Sequence, residues 1–288
     1  MTRLVLAAAQ IACRPGDVAA NVATHRSALA EAQARGADLV VFPELSLTDY
    51  ETQPDIAALA RPADAPELRD LAAATGGLVA VVGFIERAPD GAIHNAAAIL
   101  AEGRIAAIHR KLNLPTYGAL VESEHYGPGD ALEPVDTPVG RLATLVCADT
   151  WNPALPWLAA LAGAGIMAVP IASARGAVDP DFDSRDGWRV NLRHTALTYG
   201  LPIVMANHCG RRGALDFWGG STILDANGRV LAEAGDKPDL VTASVEAEDC
   251  AAARARLPTV RDADPALVAT LLGARLARSR PGGPESRE

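Results

Sequence analysis

The chain is poor in cysteine: Cys13, Cys147, Cys209 and Cys250 are the only four among 288 residues, and no two form a CxxC pair. Such spacing points to neither a zinc site nor a disulfide framework. Few, dispersed thiols suit a reducing cytoplasm, which is the compartment expected here. Basic charge is also scarce, with 26 Lys and Arg against 35 Asp and Glu, a net charge of −9, and no basic run longer than a pair such as Arg110-Lys111. A nucleic-acid partner is therefore not expected. Long apolar runs are missing too. The opening stretch Leu4–Ile11 is apolar but too short to span a bilayer, so no membrane partner is expected. A secretory leader would need a longer apolar core and a cleavage site; Gln10 and Arg14 interrupt it, and the stretch reads as a buried first strand.

Several catalytic signatures are absent as well. No GxSxG elbow marks a serine hydrolase, and no GxxxxGK[ST] loop marks a phosphate-binding site. The histidines His25, His94, His109, His125, His194 and His208 show no HExxH or other paired spacing, so no metal and no cofactor are implied. His208 beside Cys209 is an alternative Cys–His pair, but its Ala-Asn-His-Cys-Gly setting reads as a strand-to-turn exit.

What is present is an ordinary globular composition, 49% hydrophobic and 21% charged, in a chain long enough for one large α/β domain or two small ones. Short apolar runs predict buried strands at Leu4–Ala9, Leu39–Phe42, Leu78–Gly83, Ala96–Leu100, Leu142–Val146, Ile166–Val169 and Ile203–Ala206. Between them, helices are predicted at Val18–Arg35, Pro66–Thr75, Pro156–Ala162 and Trp188–Tyr199. Thr222-Ile223-Leu224, a turn with Asn227-Gly228, and Arg229-Val230-Leu231 read as a hairpin; so do Asn95–Leu100 and Arg104–His109. Hairpins among βα units give an α/β fold that is not a purely parallel sheet. Residues 1–262 are expected to form the main domain, with 263–288 as a partly disordered C-terminal extension that frays from Arg278 to Glu288.

Four local features carry candidate chemistry. Glu44 follows Leu39-Val40-Val41-Phe42-Pro43 at the carboxyl end of a strand, where open α/β sheets place ligands. Lys111 ends the strand in His109-Arg110-Lys111-Leu112-Asn113-Leu114-Pro115, with Tyr117, Gly118 and Glu122 behind it. Cys147 ends the apolar run Leu142–Val146 before a polar turn, Ala148-Asp149-Thr150-Trp151. Phe217-Trp218-Gly219-Gly220-Ser221 precedes the second hairpin. Taken singly, each has a plain alternative: a surface Glu, a solvated Lys, a small buried thiol, a packed turn.

In this order and register, the segments FPELSLTDY, HRKLNLPTYG, YGPGD, VCADTWNP, YGLPIVMANHCG and FWGGSTILDANGRV resemble the nitrilase superfamily of carbon–nitrogen hydrolases, over roughly Thr2 to Glu248. The resemblance implies a four-layer αββα sandwich. By motif it implies a catalytic set of Glu44 as general base, Lys111 as oxyanion stabiliser and Cys147 as thioester-forming nucleophile, with Glu122 as an additional glutamate. Ala148, Tyr50, Trp151 and Ser173 are the expected substrate-binding positions, Ala148 through its backbone N–H. The chain departs from common members in having Ala148 rather than a larger residue after the cysteine, and Asp49 where LTGY is common. Both bear on substrate. The expectation is a small-molecule amide or carbamoyl substrate, with nitriles poor, and a homodimer or larger homo-oligomer in which Leu155-Pro156-Trp157-Leu158 is a candidate interface face. An amide-forming or acyl-transfer member of the same superfamily, a true nitrilase and a non-catalytic binding subunit are the alternatives. The polar segment Ser173–Trp188, with Arg175, Asp179, Asp181, Asp183 and Arg185, is expected to loop over the site, as a reader of a charged substrate end or as a solvated loop.

Overall fold

The computed structural model describes residues 3–50 and 55–278. Among them the strands are β1 (Arg3–Gln10), β2 (Leu39–Val41), β3 (Val79–Arg87), β4 (Ile93–Ala101), β5 (Arg104–Arg110), β6 (Val135–Thr137), β7 (Gly140–Thr144), β8 (Ile166–Ile171), β9 (Ile203–Asn207), β10 (Cys209–Arg212), β11 (Leu215–Trp218), β12 (Thr222–Leu224), β13 (Val230–Glu233) and β14 (Asp239–Glu246). The helices are α1 (Val18–Ala34), α2 (Ile56–Leu59), α3 (Pro66–Ala74), α4 (Ala154–Leu161), α5 (Ser184–Tyr199), α6 (Ala247–Arg256) and α7 (Pro265–Arg278).

Two six-stranded sheets form, in the orders β14-β1-β2-β3-β4-β5 and β13-β12-β9-β8-β7-β6, beside a β10–β11 ribbon. Pairing is parallel through β1-β2-β3 and β7-β8-β9 and antiparallel toward the edges. The period-2 alternation of strands sorts each sheet's side chains. Leu6 and Ala8 of β1, Leu39 and Val41 of β2, and Val79 and Val81 of β3 meet Leu142, Ile166, Ala168 and Val204 of the other sheet. Their neighbours Ala7, Ala9, Val40 and Val82 pack instead on Leu29 and Ala32 of α1 and Leu68 and Leu71 of α3. On the far side Met167, Val169 and Met205 pack on Ala159 of α4 and Trp188, Leu192 and Ala196 of α5. The result is the αββα sandwich, with alanines keeping the layers close. None of the described helices is long and apolar enough to cross a membrane.

Element ends differ from the sequence reading where the chain prepares the site. β3 continues through Gly83 to Arg87. β7 stops at Thr144, two residues early, because the chain turns there toward Cys147. α5 begins at Ser184 rather than Trp188, because the Asp183 side chain caps it by accepting the Asp186 N–H at 3.1 Å. The segment Ser173–Trp188 is thus part loop and part helix. The stretch Leu155–Leu158 lies in α4 with Pro156 buried and Leu158 exposed. Within the C-terminal extension, Pro265–Arg278 is helical; the fraying expected beyond Arg278 lies outside the described residues.

Candidate active site

Glu44, Lys111 and Cys147 leave β2, β5 and β7 at one rim of the sandwich. The Glu44 loop is tightly folded: Leu45 and Asp49 both take positive φ, 52° and 66°. Two helical side chains hold it from one side. Asn21 Nδ2 donates to the Leu47 carbonyl at 3.0 Å. His25 donates from Nδ1 to the Asn21 carbonyl and receives the Ser46 hydroxyl at Nε2, 2.9 Å away. Burial lowers the His25 pKa to about 4, so the ring stays neutral in that role. From the other sheet, His208 Nε2 donates to the Glu44 carbonyl at 2.6 Å. His208 is fully buried and has this structural partner, so the His208–Cys209 pair is not set up as a dyad. Gly83 passes beneath the loop so closely that a Cβ there would stand 2.3 Å from Leu45 N and 2.5 Å from the Pro43 carbonyl.

The four candidate catalytic residues come together. Lys111 Nζ lies 2.6 Å from Glu44 Oε1 and 2.7 Å from the Glu122 carboxylate. Asn95 Nδ2 also donates to Glu44 Oε1 at 2.7 Å, while Glu44 Oε2 has no protein hydrogen-bond partner. Tyr50 donates its hydroxyl to Glu122 Oε1 at 2.7 Å. Both Glu44 and Lys111 are wholly buried, so this is one cation held between two carboxylates away from solvent. Burial opposes the Lys111 charge, but Glu122 and Glu44 outweigh it and hold the ammonium well above the ordinary lysine pKa. Burial raises the Glu122 pKa, and Lys111 pulls it back. The Cys147 thiol is pushed well above its ordinary value by burial and by Glu44, against the pull of Lys111. The resting thiol is therefore protonated and needs a base to attack.

Cys147 opens a short 3₁₀ turn, Cys147–Trp151, at φ +48°. For a side-chain-bearing residue this left-handed geometry costs about 1 kcal/mol, and it is locked in place. Thr150 Oγ1 donates to the Cys147 carbonyl at 2.8 Å, and Asp149 Oδ2 accepts the Val146 N–H at 3.0 Å. Asp149 Oδ1 also accepts the N–H groups of Leu112 and Asn113 at 2.9 and 2.8 Å, and Oδ2 lies 3.1 Å from His109 Nε2. This wholly buried carboxylate fixes the Cys147 turn to the loop after Lys111.

A cavity of about 410 Å³, counting its open mouth, reaches Cys147 and Glu122. The four expected substrate-binding positions, Tyr50, Ala148, Trp151 and Ser173, all line it. Ser173 Oγ accepts the Trp218 indole N–H at 3.0 Å, and Asn207 Oδ1 accepts the Ser173 N–H at 2.9 Å. Phe217 and Trp218 thus support the site from behind. Asp49 is a correction: it does not line the cavity but is wholly buried and ion-paired with Arg212. The charged groups of Ser173–Trp188 also face elsewhere, Arg175 to Asp216 and Arg185 to Glu233. Asn95, Asp149 and Asn207 were missed as site residues. Each is a polar residue in or beside an apolar run, the one sequence signal that points to a buried partner.

Residues 5–255 match the family described as carbon-nitrogen hydrolase. The chain is 32% identical over 240 residues to a glutamine-dependent NAD(+) synthetase of Thermotoga maritima, covering 80% of this chain but 40% of that protein. It is 29% identical to N-carbamoylputrescine amidase of Arabidopsis thaliana, covering 83% of this chain and 84% of the relative. Its fold matches a carbon-nitrogen hydrolase from Helicobacter pylori G27 with TM-score 0.85 and 27% identity, over 94% of this chain and 99% of the other. It also matches a mutant amidase from Nesterenkonia sp. AN1, which carries the acetamide moiety of fluoroacetamide covalently on its active-site cysteine; the TM-score is 0.77, identity 28%, and coverage 93% and 96%.

Proposed function

The chain belongs to the carbon–nitrogen hydrolase family, and we propose that it cleaves a small amide or N-carbamoyl compound through a thioester on Cys147. The observation that carries this reading is the Glu44–Lys111–Glu122 cluster beside the thiol, with one buried oxygen of Glu44 left free of protein partners.

Glu44 Oε2 takes the Cys147 proton as Sγ bonds to the amide carbon, which is why a thiol of raised pKa still serves as nucleophile. The carbonyl oxygen becomes an oxyanion, and the Lys111 ammonium and the Ala148 N–H hold it. A single preorganised donor of this kind contributes about 3 kcal/mol to the rate barrier. Glu44 then returns the proton to the nitrogen, the C–N bond breaks, and ammonia leaves. Water attacks the thioester with Glu44 again as base, releasing the carboxylic acid and restoring the thiol. Glu122 holds Lys111 in place and accepts a hydrogen bond from the substrate NH₂. The name of the carbamoylputrescine relative and the cysteine adduct of the amidase neighbour support the same reading.

The test is product analysis. Amides and N-carbamoyl amines should release ammonia or amine stoichiometrically with acid or carbamate, and nitriles should be poor. Nitrile turnover matching the best amide would reject the branch, and no turnover of any C–N substrate would reject the function.

A further inference from the structure

Resting on that hydrolase reading, we propose that the acyl part of the substrate is uncharged and apolar, and long enough to reach the aromatic mouth of the cavity at Trp151. Much of the cavity wall is small or aliphatic: Leu120, Ala172, Ala174, Ala177 and Val178 line it. Glu122 is the one carboxylate among the described lining residues, and no Lys or Arg is among them. That carboxylate is held by Lys111 and Tyr50, and its remaining acceptor capacity goes to the substrate NH₂, so none is left for a cation on the acyl chain.

The nearby cations that could read an anionic tail are committed elsewhere. Arg175 pairs with Asp216 at 3.2 Å, Arg185 with Glu233 at 2.7 Å, and Asp183 caps α5, while the exposed Asp179 and Asp181 do not line the cavity. An ammonium or carboxylate on the acyl chain would lose its water in this cavity and find no counter-charge among the described residues that line it. At the mouth the pattern inverts the usual polar rim. Tyr117 and Trp151 line the cavity and yet are 48% and 39% exposed. Phe182, 37% exposed, sits edge-on to Trp151 with ring centroids 6.3 Å apart, and Trp188 backs Trp151 at 5.2 Å. Exposed aromatic surface around a catalytic opening is covered when an apolar or aryl tail leaves the cavity across it. Ser173 is the neutral polar exception: its oxygen accepts the Trp218 N–H, and its hydroxyl proton is available to a neutral acceptor on the substrate.

The experiment compares kcat/KM for acetamide, hexanamide, 3-phenylpropanamide, 5-aminopentanamide, glutaric acid monoamide and N-carbamoylputrescine, with wild type and Trp151→Ala. Hexanamide and 3-phenylpropanamide should exceed the charged compounds by at least about 100-fold. Trp151→Ala should cost 3-phenylpropanamide about tenfold more than it costs acetamide. A charged compound turned over as well as its neutral counterpart would overturn the inference while leaving the hydrolase reading intact. So would equal losses on acetamide and 3-phenylpropanamide in Trp151→Ala. No turnover of any compound, acetamide included, would instead overturn the hydrolase reading, and this inference with it.

Discussion

Asp149 and Leu112 tie the Cys147 turn to Lys111: Asp149, two residues beyond Cys147, accepts through Oδ1 the N–H of Leu112, one residue beyond Lys111, at 2.9 Å. The same carboxylate takes the N–H groups of Asn113 and Val146. Two loops from different sheets therefore share one buried anion, and the distance between thiol and ammonium depends on it.

Asp149→Asn replaces one acceptor oxygen with an NH₂ that faces a donor. It should destabilise the fold by about 2 kcal/mol and lower kcat more than it changes KM. Chemical denaturation and steady-state kinetics check both; unchanged midpoint and kcat would remove the role given to Asp149.

The pH dependence of Cys147 alkylation follows from its surroundings. Burial and Glu44 raise the thiol pKa, Lys111 lowers it and Glu122 raises it further. The iodoacetamide rate should rise with pH through a midpoint above about 8.5, the ordinary thiol value. Glu122→Gln removes a negative neighbour, so the midpoint should move down. The same substitution weakens the hold on the Lys111 charge, and the alkaline limb of kcat/KM should move to lower pH with it. An unmoved or raised alkylation midpoint would contradict this charge arrangement.

Asp49 and Arg212 form a buried pair, with Arg212 also donating to the carbonyls of Cys13 and Cys209 at 3.1 and 2.8 Å. Removing one partner leaves a bare buried charge, so Asp49→Ala should cost about 3–5 kcal/mol. The double variant Asp49→Gly with Arg212→Met removes both charges and places glycine at φ +66°, where it is unstrained. It should recover most of that loss in urea unfolding. A double variant no more stable than the single one would mean that the pair is not a coupled unit.

Much of this arrangement was legible in the sequence. Continuous apolar runs such as Leu4–Ala9 and Leu39–Phe42 located the central strands, because strands buried on both faces in a four-layer fold must be apolar on both. Glu44, Lys111 and Cys147 each stand at or just past a strand end, but it was the motifs around them, in order and register, that singled them out together. Gly83 was misread as a strand end. It is a strand residue kept small by the crossing of the Glu44 loop, a long-range contact that no local pattern encodes. Asp149 and Asn95 escaped for the same reason: their partners lie 37 and 51 residues away. Asp49 drew attention as a departure near the pocket, yet its partner Arg212 sits on another sheet, and only the fold shows which way it faces.

Turnover is expected to pass through a thioester on Cys147. Burial raises the pKa of the other thiols as it does that of Cys147, Cys209 to about 11, but none of them lines the cavity beside Glu122. Enzyme quenched in acid during steady-state turnover of its best amide, then digested and mapped by mass spectrometry, tests the claim directly. The Cys147 peptide should carry the mass of the acyl group and lose it on treatment with hydroxylamine, and Cys147→Ala should fold normally, carry no adduct and lose activity by several orders of magnitude. An acyl group mapped to Cys209, or sustained turnover by Cys147→Ala, would contradict it.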